Sequence, residues 1–131
     1  MTVATAPHVP RPCTVLLVDD DALISMATSA ILKDLGHRVI EAPSATTALD
    51  ILRSGTPVDV VLSDEAMPGM RGTQLAAEIR TSWPELPVIL ATGYAELPKD
   101  SALQLPVLHK PYSQDDLAAA MGELVGGKPS P

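Results

Sequence analysis

Five residues with chemical potential stand where apolar runs stop. Val15-Leu16-Leu17-Val18 runs into Asp19-Asp20, Val60-Val61-Leu62-Ser63 into Asp64, Val88-Ile89-Leu90-Ala91 into Thr92, and Val107-Leu108-His109 into Lys110. Short continuous hydrophobic runs mark parallel strands buried on both faces. In open α/β sheets, ligands gather outside the carboxyl ends of such strands. Four strands therefore deliver carboxylates, a hydroxyl and an ammonium to one edge. Carboxylates brought within ~4 Å of one another repel by roughly 4 kcal/mol per pair at an effective dielectric near 20. A small hard dication offsets that repulsion, and oxygen-only ligands with room for water suit Mg2+. Taken singly, Thr92 reads as a turn residue, and Asp21, next to the acidic pair, as a helix cap; the five together read as a site.

Helical patterns separate the strands. Between Ala22 and Leu35, the residues Leu23, Met26, Ala27, Ala30, Ile31 and Leu35 recur at helical spacing, with Asp21 placed to cap and Gly36 to stop the helix. Arg38 to Ala42 reads as a short strand. Ser44 opens a second helix through Ala48, Leu49, Ile51 and Leu52, closed by Gly55-Thr56-Pro57. Gly72 to Trp83 carries Leu75, Ala76, Ile79 and Trp83 on one face, and Pro84 ends it. Ser113 begins the last helix, with Leu117, Ala120, Met121 and Leu124 facing inward. Strands joined by helical crossovers imply an α/β fold, a parallel sheet with right-handed connections. The flavodoxin-like order 2-1-3-4-5 is the natural assignment for five strands. Residues 1–12, with Pro7, Pro10 and Pro12, read as a flexible arm, 126–131 as a flexible tail, and 13–125 as one domain.

The formal charge of −7 and pI near 4.7 argue against nucleic-acid binding, which needs clustered Lys and Arg. No apolar run approaches the ~20 residues of a membrane span, and the N-terminus lacks a signal-peptide pattern. The single cysteine, Cys13, cannot form an internal disulfide, which fits a reducing cytoplasm. None of His8, His37 and His109 has ligand spacing, and strand alternation points His109 away from the Lys110 side chain. Glu65 alternates away from Asp64, toward solvent or a helix face.

The order of acidic pair, Asp64 followed by Met67-Pro68-Gly69, Thr92-Gly93 and Lys110-Pro111 closely resembles the CheY-like receiver domain of two-component response regulators. The resemblance covers residues 13–125. It implies that Asp64 accepts a phosphoryl group from a histidine kinase or histidine phosphotransfer protein in a Mg2+-dependent reaction. By the same resemblance, Asp20, Asp64 and the backbone carbonyl of Ala66 bind the metal, while Asp19 acts mainly through water. Lys110 neutralises charge on the transferring group, Thr92 hydrogen-bonds a phosphoryl oxygen, and the Lys110-Pro111 bond is cis. Such a chain is a monomeric signalling module rather than a turnover enzyme, and its output passes to a downstream protein partner.

Leu90-Ala91-Thr92-Gly93-Tyr94 and Lys110-Pro111-Tyr112 further resemble the alphaproteobacterial receiver subgroup named for Phe-Ala-Thr-Gly-x-Tyr, commonly single-domain. Leu90 replaces the Phe, and Tyr94 directly follows Gly93. The same segments occur in receivers of hybrid sensor kinases, so an excised receiver is the alternative to a stand-alone one. Because the chain ends soon after the last helix, no output domain is expected. Thr92 and Lys110 are 18 positions apart, about one helical turn shorter than usual in receivers, which predicts a short or irregular fourth helix. Many receivers carry a switching aromatic three positions before the lysine. Here Val107 has no ring and little χ1 freedom, so ordering of Gly93 to Pro106 around Tyr94 is the expected switch.

Other classes fit less well. A pseudo-receiver that is never phosphorylated would not be expected to keep every site position. A haloacid-dehalogenase-type enzyme carries Asp-x-Asp with its nucleophile on the first strand. In a flavodoxin, Asp19-Asp20-Asp21 would repel the flavin phosphate.

Overall fold

Each apolar run becomes a strand of one parallel sheet in the computed structural model, which describes residues 12–93 and 105–125. In chain order the elements are β1 (Thr14–Val18), α1 (Ala22–Asp34), β2 (Arg38–Ala42), α2 (Ala45–Arg53), β3 (Val60–Asp64), α3 (Gly72–Ser82), β4 (Val88–Thr92), β5 (Val107–His109) and α4 (Gln114–Val125). The sheet order is β2-β1-β3-β4-β5, every pair parallel, as expected from the alternation of strand and helix patterns. Register pairs Val18 with Ser63, Asp64 with Ala91 and Thr92 with His109, which brings the carboxyl ends to a common edge. Every residue of β3 and β4 is buried, the condition that continuous apolar runs foretell.

Side chains alternate between two cores. On one face Leu16, Val18 and Val61 meet Ala48, Leu49 and Leu52 of α2 with Leu75 and Ile79 of α3. On the other, Val15, Leu17, Leu62 and Ile89 meet Leu32 of α1 with Leu117 and Met121 of α4. Each fully buried Val or Leu contributes about 1.5–3 kcal/mol relative to exposure. Two helix starts, those of α2 and α4, are capped locally: Ser44 Oγ accepts from the Thr47 N–H at 3.1 Å, and Ser113 and Asp116 bond reciprocally at 3.1 and 2.9 Å.

The apolar stripe expected for α1 is only partly buried: Ile31 and Leu35 pack against the core, but its first half does not. Ser25, Thr28, Ser29 and Leu32 turn inward, while Leu23 is 76% and Met26 61% exposed. Asp21 caps the start of this helix, accepting from the Leu23 and Ile24 N–H groups at 3.0 and 3.2 Å. Two buried hydroxyls are satisfied from outside the helix: Ser25 Oγ donates to Glu41 Oε1 at 2.9 Å, and Thr28 Oγ1 lies 2.7 Å from the Tyr112 hydroxyl. Satisfied in this way, small polar side chains tolerate burial. Expectations for the arm, the tail, the fourth helix and the ordering of Tyr94 fall largely on residues 1–11, 94–104 and 126–131, outside the described residues.

His37 is buried at the opposite edge of the sheet. Its Nδ1 accepts from the Cys13 N–H at 3.3 Å and lies 3.3 Å from Cys13 Sγ, while Nε2 has no partner among the described residues. Burial pushes the imidazole below its ordinary pKa of 6.5. The neutral ring is therefore the native form, and its contribution to stability is complete above pH 6.5 and lost as pH falls through the depressed native value. Urea unfolding at about pH 7.5 and about pH 5.5 should show a larger loss of stability on acidification for the wild type than for His37→Gln. Equal losses would show that His37 does not carry this dependence.

Candidate functional site

One carboxylate oxygen from each of Asp19, Asp20 and Asp64 lies within 4.8 Å of the other two. Asp19 and Asp64 are buried, and Asp20 is exposed. Asp19 continues β1: its N–H donates to the Ala42 carbonyl at 3.1 Å, and its Oδ1 accepts from the Asp21 N–H at 2.9 Å. Asp64 closes β3, and the ladder runs one bond further, from the Glu65 N–H to the Ala91 carbonyl at 3.0 Å. Lys110 follows β5, where its N–H donates to the Thr92 carbonyl at 2.9 Å. Its Nζ reaches Asp64 Oδ1 at 2.7 Å. The Lys110-Pro111 peptide bond is cis. Thr92 Oγ1 donates to the Gly93 carbonyl at 2.9 Å. Ala66 is exposed in the loop after β3.

Burial raises the Asp19 carboxyl above its ordinary value; the Asp21 N–H opposes this, and the charge of Asp64 adds to it. Burial alone would lower Lys110, but its hydrogen bond to Asp64 and the charges of Asp64 and Asp19 outweigh it and raise the ammonium. Three carboxylates share one nearby ammonium, every acidic donor is an oxygen, and one of the three faces water. That donor set fits a hard, partly hydrated dication of the Mg2+ type.

Glu65 is fully buried. Of the two environments open to it, solvent and a helix face, the structure gives the second. Its Oε1 accepts from the Thr73 N–H at 2.7 Å, and its Oε2 accepts from Thr73 Oγ1 at 3.2 Å and Arg71 Nε at 3.1 Å. One sequence signal could have found it: α3 begins after Arg71, a side chain with no acceptor to cap a helix.

An open parallel α/β domain that gathers carboxylates beside a lysine at the carboxyl edge defines a class, the phospho-signalling receiver fold. The family described as response regulator receiver domain matches residues 15–122, and the chain belongs to it. Members are signalling domains rather than turnover enzymes. The chain is 38% identical over 119 residues to the sensor kinase CckA of Brucella abortus, covering 86% of this chain and 12% of that protein. It is also 38% identical over 125 residues to the response regulator protein FleR of Pseudomonas aeruginosa, covering 87% of this chain and 26% of that one. The chain thus spans about a quarter or less of these relatives. Among solved structures, a response regulator receiver protein from Sinorhizobium medicae superposes with a TM-score of 0.81 at 28% identity, covering 89% of this chain and 97% of that one. The signal receiver domain of an HD domain-containing protein from Pseudomonas fluorescens gives 0.78 at 30% identity, covering 87% and 94%. No helix among the described residues is long and apolar enough to cross a membrane.

Removing one carboxylate should relieve the repulsion. In metal-free buffer of low ionic strength, Asp20→Ala should unfold at higher urea than the wild type, and the gain should shrink as salt screens the charges. A midpoint that is unchanged or lower would show that repulsion in the cluster does not limit stability.

Proposed function

We propose that this chain is a phosphorylatable receiver of a two-component phosphorelay, with Asp64 as the phosphoacceptor. The observation that carries this reading is the 2.7 Å contact of Lys110 Nζ with Asp64 Oδ1 inside the three-carboxylate cluster. In the reaction, an Asp64 carboxylate oxygen attacks the phosphorus of a phosphohistidine. The new P–O bond forms as the P–N bond breaks, and the departing ring nitrogen keeps the electron pair. Lys110 then shifts its ammonium from Asp64 to a phosphoryl oxygen, and Thr92 turns its hydroxyl from the Gly93 carbonyl toward another. Asp20, Asp64 and the Ala66 carbonyl would hold Mg2+, with Asp19 acting through water, and the ion would supply further positive charge there.

The phosphodonor is a histidine kinase or histidine phosphotransfer protein, a protein of the cytoplasm, and output passes to a second protein. The exposed side chains of Leu23, Ile24 and Met26 support protein docking, since they form an apolar patch on the helix that Asp21 starts beside the cluster. Leu90-Ala91-Thr92-Gly93-Tyr94 supports placement in the Phe-Ala-Thr-Gly-x-Tyr subgroup. The match to 12% of a sensor kinase supports a second reading, a receiver carried within a hybrid kinase.

With acetyl phosphate and Mg2+, the intact mass should rise by one phosphoryl group, and Asp64→Asn should abolish the gain. A phosphate that persists in Asp64→Asn, or maps to Ser63, would overturn the assignment. Leu23→Asp with Met26→Asp should slow transfer from the cognate kinase by about tenfold, the equivalent of ~1.4 kcal/mol. The acetyl phosphate rate should stay at the wild-type value, and parallel losses in both assays would count against docking on α1.

A further inference from the structure

Resting on the receiver reading above, we propose that Glu65 is a positioning residue for the metal site. Its buried carboxylate ties the β3–α3 loop to the first turn of α3 and so holds the Ala66 carbonyl beside Asp64. A carboxylate withdrawn wholly from water is costly unless its lone pairs are engaged. Here three donors engage them: the Thr73 N–H at 2.7 Å, Thr73 Oγ1 at 3.2 Å and Arg71 Nε at 3.1 Å.

The first N–H groups of a helix have no partner within it and are usually met by a cap side chain. Arg71 occupies the cap position of α3 and carries only donors. Glu65 reaches across from the end of β3 to take over that role at Thr73, where negative charge also suits the helix dipole. Gln74 Oε1 completes the turn by accepting from the Arg71 N–H at 2.9 Å.

The same residue closes the loop through its backbone. The Gly72 N–H donates to the Glu65 carbonyl at 3.1 Å. Gly72 packs so closely that a Cβ there would overlap the Asp64 carbonyl oxygen and approach Leu90 Cδ2 to 2.8 Å. Residues 66–71 therefore leave from and return to Glu65. Within that loop Met67 is buried and the Met70 N–H donates to the Pro68 carbonyl at 3.0 Å, while Ala66, Pro68 and Gly69 are exposed. The place of the Ala66 carbonyl thus depends on a carboxylate that does not itself face the site.

Outer groups that orient metal ligands commonly change affinity by about 10- to 100-fold when removed. Calorimetric Mg2+ titration of the full chain tests the role, with metal-free melting as the control for folding. Glu65→Val should raise the Mg2+ Kd about tenfold, whereas Glu65→Gln keeps an acceptor for the Thr73 N–H and should stay within about twofold of the wild type. Arg71→Ala, at a half-exposed position outside the core, should raise the Kd by about two- to threefold. A wild-type Kd in Glu65→Val, or Glu65→Gln as weak as Glu65→Val, would overturn the proposal. If Glu65→Val does not fold, a wild-type Kd in Arg71→Ala overturns it instead. A wild-type chain that binds no Mg2+ would overturn the receiver reading, and this proposal with it. Failure of the Glu65 role alone leaves wild-type binding intact.

Discussion

Like charges at the end of a parallel sheet are the constraint on which the rest of this structure turns. Parallel register aligns strand ends, so acidic residues that follow apolar runs are brought together however strongly they repel. One carboxylate oxygen from each of Asp19, Asp20 and Asp64 lies within 4.8 Å of the other two, and Lys110 meets only one of the three residues directly. The core holds the arrangement: β3 and β4 are buried at every position, and both faces of the sheet are covered by helices. Burial that stabilises the fold thus holds a charge cluster in tension, and the tension makes the edge receptive to a cation.

The sheet was legible because β1, β3 and β4 are continuous apolar runs and the segments after β1, β2 and β3 have a helical period. Their order followed from the alternation of strand and helix patterns, and the meeting of the carboxylates from the strand ends. The rotation of α1 was not legible. Periodicity counts apolar residues, and in the first half of α1 Leu23 and Met26 face outward, whereas the inward face there is Ser25, Thr28 and Ser29. The burial of Ser25 and Thr28 depends on Glu41 and Tyr112, 16 and 84 positions away, which no local pattern reports, while Ser29 Oγ has no hydrogen-bond partner among the described residues. Glu65 was half legible: alternation takes it off the edge, but full burial follows only once Arg71 and Thr73 are known to face it.

The two helices that flank the site are therefore tied down by different means. A local cap, Asp21, starts α1, and Leu23, Ile24 and Met26 of its first turns stand in water. A borrowed cap, Glu65, starts α3 and draws the loop after β3 into the same contact. One device exposes a surface beside the carboxylates, and the other stiffens the wall beneath them.

The hydrogen bond between Thr28 and Tyr112 joins these regions in another respect. Tyr112 stands two residues after Lys110, and with Pro111 it lines a groove of about 440 Å³ against Ile24, Ala27 and Ile31 of α1. Lys110, the partner of Asp64, lines the same groove. A protein seated in the groove and a group bound at the carboxylates would then share a wall, and their affinities would be linked. By thermodynamic reciprocity, each would change the binding of the other by the same factor. The groove would act as a reporter of site occupancy, and a bound protein would in turn set how readily the site fills.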